Sequence, residues 1–303
     1  MPDVRRKMLR SACFVICGVV LIDVFVGVVC NITMRHLPAN NSECAKLNHV
    51  LTRAAADCII VGSSRAGHHY NSILMENGLG MSTYNAGMDG QTLPYIGCAV
   101  HAICQREPFP RLIVMEMHYA GMQISPDDRI SKLKPFFNSD PYCRDVILDV
   151  CGESERYKCL SAMYRYNGYP LRIVNAFFSE QDTMQGYVPL DDRYHYPPSF
   201  QVDSVRYGIE PKALRIFDQT VEIIRNKGIG LVVVISPEYV EHIYPSPVEE
   251  VCRERGILFL DNSDLEEFMN NEAYFKDIKH LNAHGADVYT RYFIGQLKEL
   301  DII

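Results

Sequence analysis

Hydrophobic and polar positions divide this chain into three regimes. From about Ser11 to Met34 the residues are apolar almost without interruption, Asp23 and Asn31 being the strongly polar exceptions. From about residue 51 onward, short apolar runs alternate with stretches of helical period. Between about 120 and 208 the periodicity fades into a segment rich in Tyr, Pro and Asp, including Gly186-Tyr-Val-Pro-Leu-Asp-Asp-Arg.

The alternating regime predicts a sequence of strands and helices. Asp57-Cys-Ile-Ile-Val-Gly reads as a buried parallel strand closed by glycine. A helix over Arg65–Asn77 follows, stopped by Gly78, and then a second strand over Ser82-Thr-Tyr-Asn-Ala-Gly. Leu93–Arg106 reads as a helix and Arg111–His118 as the third strand. After the irregular segment come a helix (Pro211–Lys227), a fourth strand (Gly230–Ser236), a helix (Pro247–Arg255), a fifth strand (Ile257–Asp261) and a closing helix (His284–Leu297). Such alternation predicts an α/β fold, a mainly parallel five-stranded sheet between two helical layers. The insertion at about 120–208 is expected to form a cap, with helices near Asp145–Val150 and Leu160–Phe178. Residues 36–50 read as a polar linker, which leaves 51–303 as the folded domain.

The first regime poses a different solvent problem. A helix of about 20 residues crosses the hydrocarbon of a bilayer. Arg5, Arg6, Lys7 and Arg10 precede the apolar run, and this basic flank sets the N-terminus in the cytoplasm. The expectation is a transmembrane signal anchor over 1–35, with the later residues outside the cytoplasmic membrane of a bacterium. A buried core helix or a cleaved signal peptide are the alternatives. Asp23 costs roughly 2.5–3.5 kcal/mol at a helix centre. It reads as a polar residue tolerated by its apolar neighbours, with pairing to a partner's membrane helix as the other option.

Charge and cysteine content narrow the partners. A formal net charge of −7 and the lack of a basic stripe beyond the N-terminus argue against nucleic acid. Of 11 cysteines, Cys143, Cys151 and Cys159 cluster in a loop-like region and are the candidates for a disulfide. Cys58, Cys98 and Cys104 fall on regular elements and read as buried thiols. No CxxC pair supports a zinc or redox centre, and no cofactor motif is present.

Candidate chemistry concentrates at two short stretches. In an open parallel sheet, reactive groups gather at the carboxyl ends of the strands. Ser64 lies there, at the first strand-to-helix turn, where its own amide can donate to an oxyanion. A serine hydroxyl needs a base, and His280 is the candidate, with Asp277 to orient its second ring nitrogen. The plain alternatives are a helix cap at Gly62-Ser-Ser and a capped helix start at Asp277-x-x-His280.

At these residues the chain resembles the SGNH/GDSL hydrolase superfamily. Gly62-Ser63-Ser64 matches its Gly-Asp-Ser block, with Ser64 as nucleophile. Asn85-Ala-Gly-Met-Asp-Gly90 is similar to its second block, which implies an oxyanion donor at the Gly90 amide and a substrate-side role for Asn85. Asp277 and His280, followed by Leu281, Asn282, Gly285 and Ala286, match its last block. The resemblance covers about residues 57–118 and 211–298 and implies a flavodoxin-like three-layer αβα sandwich. Ser63 departs from the usual Asp. The third block, Gly-x-Asn-Asp, is absent, and Met117-His118-Tyr119-Ala120-Gly121 stands in its place. Loss of that Asn would remove about 2.7–4 kcal/mol of barrier lowering unless His118, Tyr119 or Arg65 replaces it.

The expected function is a membrane-anchored serine esterase or O-acyltransferase. What the resemblance implies is an acylated cell-envelope glycan as substrate, the cytoplasmic membrane as support and a membrane-bound acyl donor as a further partner. The competing expectation is a binding or assembly protein that keeps the fold without turnover. Phosphate-ester hydrolysis lacks a metal-ligand cluster or a Gly-rich phosphate loop.

Overall fold

The computed structural model describes residues 2–124, 130–191 and 199–302. In chain order it opens with α1 (Pro2–Arg35), α2 (Glu43–Thr52), β1 (Cys58–Val61), α3 (Ser64–His69), α4 (Ser72–Leu79), β2 (Thr83–Asn85), α5 (Leu93–Cys104) and β3 (Leu112–Glu116). The next segment holds a 3-10 stretch (Ile130–Phe136), α6 (Pro141–Cys151), α7 (Ser154–Lys158), α8 (Ala162–Arg165), α9 (Tyr169–Phe178) and β4 (Gln201–Asp203). The chain continues through α10 (Pro211–Asn226), β5 (Gly230–Ile235), β6 (Val240–His242), α11 (Pro247–Glu254) and β7 (Leu258–Asp261). It closes with α12 (Glu266–Met269), β8 (Phe275–Asp277), β9 (His280–Leu281) and α13 (Ala283–Glu299).

Five of the strands form one parallel sheet in the order β2-β1-β3-β5-β7. Its centre is set by β-branched and apolar runs, and β1 and β3 are buried along their whole length. Alternate residues feed two separate cores. Ile59, Val61, Ile113 and Met115 pack with α2, α5 and α10, whereas Cys58, Ile60, Leu112 and Val114 pack with α4 and α13. Burial on both faces is why these strands read as unbroken apolar runs. Because β2 and β3 flank β1 on opposite sides, the chain leaves β1 in both directions. The crevice at that reversal is the expected ligand position.

Several boundaries differ from the sequence reading, for local reasons. The helix expected over Arg65–Asn77 is two helices. Asn71 accepts hydrogen bonds from the Ile73 and Leu74 amides at 3.1 and 3.3 Å and so starts α4 afresh. Gly78 lies inside α4, pressed against Ile294, and Gly80 ends the helix. The expected linker is instead an integrated element. α2 buries Cys44, Ala45, Leu47 and Val50 against α5 and α9.

The insertion also behaves differently from a cap. Its described helices pack against α1, α2, α5 and α10, beside the sheet's core rather than over the crevice. Positions 125–129 and 192–198 of the expected cap lie outside the described residues. The helix expected over Leu160–Phe178 is divided into α8 and α9, with Gly168 and Pro170 between and at their junction. Contrary to the expectation, the described residues show no disulfide between Cys143, Cys151 and Cys159. Cys143 and Cys151 sit on one helix eight residues apart, about 12 Å along its axis, too far to bridge.

α1 is long and apolar enough over Val4–Arg35 to cross a membrane. Asp23 is neither unpaired nor waiting for a partner protein. Its carboxylate accepts hydrogen bonds from the Ser161 hydroxyl (2.6 Å) and the Ala162 and Met163 amides (2.9 and 2.8 Å), capping α8.

Candidate active site

The turn after β1 is built around Gly62. A Cβ there would stand 2.6 Å from the Glu116 carbonyl oxygen on β3, so only glycine lets the chain bend so tightly against its neighbour strand. The bend delivers Ser64 to the first position of α3. An amide at that position has no helical acceptor.

Opposite it, β8 and β9 form a short antiparallel hairpin that pairs Asp277 with His280 across Ile278-Lys279. The Asp-x-x-His spacing is thus a two-residue turn between strands, not the first turn of the last helix. Asn282 caps that helix separately by accepting from the Gly285 amide at 2.8 Å. Within the hairpin, Asp277 accepts from the Lys279 and His280 amides at 2.8 and 3.0 Å, so the carboxylate is fixed before it meets the imidazole.

The two stretches meet across 216 residues of sequence. Ser64 Oγ lies 2.8 Å from His280 Nε2, and His280 Nδ1 lies 2.9 and 3.0 Å from the two Asp277 oxygens. Partial burial pushes the Asp277 carboxyl up, but the hydrogen bonds from His280 and the Lys279 amide outweigh it and hold the group below the ordinary carboxylate range. With Nδ1–H donated to this carboxylate, Nε2 is left bare toward the serine hydroxyl.

The three residues border a cavity of about 790 Å³ that Gly90, His118 and Arg65 also line. Gly90 has φ +67°, a left-handed turn that favours glycine, and its amide finds no backbone acceptor among the described residues. His118 receives a long contact from the Ala120 amide on Nδ1 at 3.4 Å. Burial, then the Arg65 and Lys279 charges, push His118 down to about 3, so its ring is neutral at neutral pH. A neutral ring with Nδ1 accepting carries its proton on Nε2. Tyr119, by contrast, turns away from the cavity: it stacks on His242 and donates its hydroxyl to the Tyr244 carbonyl at 2.7 Å.

Arg65 and Asn85 occupy other positions than a free oxyanion donor requires. Arg65 is almost fully buried, and its guanidinium is taken up by Glu116 (3.1 Å), Glu238 and Ser236. Asn85 is buried outside the cavity lining. Its amide nitrogen donates to the Ala66 and Tyr70 carbonyls at 2.6 and 3.0 Å, and its oxygen accepts from Gly87, tying the end of β2 to α3. That bond fixes the base of the loop that carries Gly90.

Several residues that pattern reading passed over support the site. His69 is fully buried; its Nε2 accepts from the Leu281 amide at 3.0 Å, next to His280, and its Nδ1 meets Ser236 Oγ at 2.7 Å. Ser236 in turn donates to Glu116 at 2.8 Å, and Tyr70 donates to the other Glu116 oxygen. Burial holds His69 well below the usual imidazole range, consistent with a neutral ring that accepts on one nitrogen and donates on the other. A glutamate inside the apolar run Leu112-Ile-Val-Met-Glu was the signal available for this network. His68 also lines the cavity, with Nε2 at 3.1 Å from Asp89 and Nδ1 at 2.7 Å from the Val188 carbonyl. Among the described residues, no group of three or more His, Cys, Asp or Glu is arranged to hold a metal ion.

The residues singled out by sequence therefore take different places around the cavity. Ser64, His280, Asp277, Gly90 and His118 surround one opening, Arg65 forms its buried floor, and Asn85 braces it from behind. No protein-family model matches the chain and no curated protein matches it, so its functional reading stands on this geometry.

Proposed function

We propose that the chain is a serine esterase or O-acyltransferase of the SGNH/GDSL type, held by α1 in the cytoplasmic membrane with its α/β domain on the outer side. The observation that carries the reading is the continuous hydrogen-bonded line Ser64–His280–Asp277 at the carboxyl end of a parallel sheet. The 2-1-3-5-7 strand order and the two helix-lined cores are what a three-layer αβα sandwich of that superfamily would have. The ester of an acylated envelope glycan is the substrate class that the same resemblance suggests.

In this mechanism Ser64 Oγ attacks the ester carbonyl while His280 Nε2 takes its proton. Asp277 stays ionised and steadies the imidazolium that forms. The carbonyl oxygen, now an oxyanion, receives the Ser64 and Gly90 amides, and the neutral His118 Nε2–H fills the place of the missing Asn. Collapse expels the alcohol, protonated by His280, and leaves an acyl group on Ser64. Water then releases a carboxylic acid, or a glycan hydroxyl takes the acyl group; transfer would draw on a membrane-bound acyl donor.

An active-site-directed fluorophosphonate tests the reading. It is expected to label the wild-type chain covalently and to leave Ser64→Ala unlabelled. Equal labelling of both would overturn it and leave the binding-protein reading.

A further inference from the structure

We infer that α1 is not the only part of this protein in contact with lipid: α8, α9 and the outer face of α1 form one surface sunk into the leaflet farther from Arg5–Arg10. This inference rests on the reading of α1 as a membrane-crossing helix. The first argument is length. With the basic flank ending at Arg10, about 20 residues of helix bring the far edge of the hydrocarbon to about residue 30, and tilt moves it further. Yet the domain is already docked on α1 from Asp23 onward. Gly27 approaches Ala162 so closely that a Cβ would lie 2.7 Å from the Ala162 side chain, and Cys30 and Met34 are buried. The α8 region must therefore lie at membrane depth.

The second argument is the surface itself. Where α1 is docked, its other side still exposes Phe25 (67%), Val28 (51%) and Ile32 (54%). α9 continues this surface. It buries Tyr169, Ile173 and Ala176 on one side, while Leu171 (81%), Val174 (54%) and Phe178 (84%) form an exposed i, i+3, i+7 stripe on the other. Leu160 and Met163, flanking the Asp23 contact, are exposed as well. An apolar surface continuous with a membrane helix has lipid as its natural solvent.

The third argument is Asp23. In water the first amides of α8 would need no partner from α1. In hydrocarbon unsatisfied amides cost several kcal/mol each, and Asp23 receives two of them plus the Ser161 hydroxyl. Arg172, on the flank of α9, pairs with Glu43 at 2.6 Å and marks the polar rim.

The chain contains no tryptophan, so a single introduced Trp is a unique probe. The full chain would be reconstituted in phosphatidylcholine/phosphatidylglycerol vesicles, with and without brominated acyl chains. Phe14→Trp reports the membrane-crossing segment, Leu171→Trp and Phe178→Trp the proposed surface, and Tyr292→Trp the distant helix α13. We expect brominated lipid to quench Leu171→Trp and Phe178→Trp at least about half as strongly as Phe14→Trp, and to leave Tyr292→Trp unchanged. Quenching of Phe14→Trp alone overturns the inference while keeping the anchor; a second copy or another protein would then be what covers α9. If Phe14→Trp is not quenched, the anchor itself fails and the inference with it. Two probe positions on the exposed stripe keep the result independent of one variant's failure to fold.

Discussion

Ser64 and Arg65 are adjacent in sequence, yet they belong to opposite electrostatic settings. Ser64 faces a partly open line of groups in which the His280 side chain is 25% exposed and that of Asp277 54%. Arg65 faces inward to Glu116 and Glu238, all three at most 1% exposed. An exposed ion pair contributes little to stability, because water screens it and competes for both partners. Buried ions behave differently: once desolvated, none of them can lose its partner without a large penalty. The outer line is therefore suited to exchanging protons, and the inner cluster to holding the platform rigid. His69 links them, accepting the Leu281 amide beside His280 and donating to Ser236 within the inner cluster.

This contrast is broken or sharpened first at its two central residues. Ser64→Ala is expected to reduce ester turnover by about 10⁴-fold or more, since nucleophile and base act as a unit. Its unfolding free energy should change by less than about 1 kcal/mol, because only one hydrogen bond at the cavity edge is lost. Steady-state kinetics and urea titration measure the two quantities on one sample. Arg65→Met should show the inverse pattern, a loss of about 3–5 kcal/mol in urea titration as two buried carboxylates lose their cation. Adding Glu116→Gln and Glu238→Gln should recover part of that loss. Similar stability losses in Ser64→Ala and Arg65→Met would dissolve the distinction between the two networks.

The outer line was more legible in the sequence than the inner one, and the reason is physical. A parallel sheet gathers its strand ends, so a serine after β1 and a histidine before the last helix have a geometric reason to meet. The central apolar runs of β1 and β3 were visible for a related reason, their burial on both faces. Glu116, Ser236, Glu238 and His69 are spread over 170 residues with no shared motif, and only the packing of α3 against β3 and β5 brings them together. Local competition explains other differences. Asn71 offered its side chain to the next amides and split a helix whose apolar period was continuous. Asp23 looked like a lone polar residue because its three partners lie 138 to 140 positions away.

His118 provides the next comparison, between a side chain that lines the cavity and its neighbour Tyr119, which turns away from it. Removal of one oxyanion donor costs about 10²–10³ in turnover. His118→Ala is expected to lose that much with little change in KM, since the bond forms fully only with the oxyanion. Tyr119→Phe removes a hydroxyl bound to the Tyr244 carbonyl outside the cavity and should leave turnover within about threefold. An unchanged rate in His118→Ala would remove His118 from the oxyanion site and return the missing Asn as an unsolved deficit.

The smallest effect separates the two networks by pH. His69 is buried with its pKa well below the ordinary value, so in the folded chain it stays neutral while the unfolded chain takes up a proton below about 6.5. The unfolded state then binds more protons, and the stability present above pH 6.5 is lost as pH falls, at up to about 1.4 kcal/mol per pH unit for this one residue. His118, pushed down to about 3, acts in the same direction. Asp277 is lowered instead from a carboxylate value, so its contribution is lost only at still lower pH, below about 3.9. Urea midpoints should therefore decline between pH 7 and pH 5 before Asp277 is protonated. His69→Gln, which can still accept the Leu281 amide and donate to Ser236, should make that decline shallower, the remainder coming from His118 and from the half-buried His49 and His242. A slope that survives His69→Gln unchanged would mean that acid sensitivity originates outside the inner cluster, and the division between a proton-exchanging line and a proton-refusing platform would lose its thermodynamic basis.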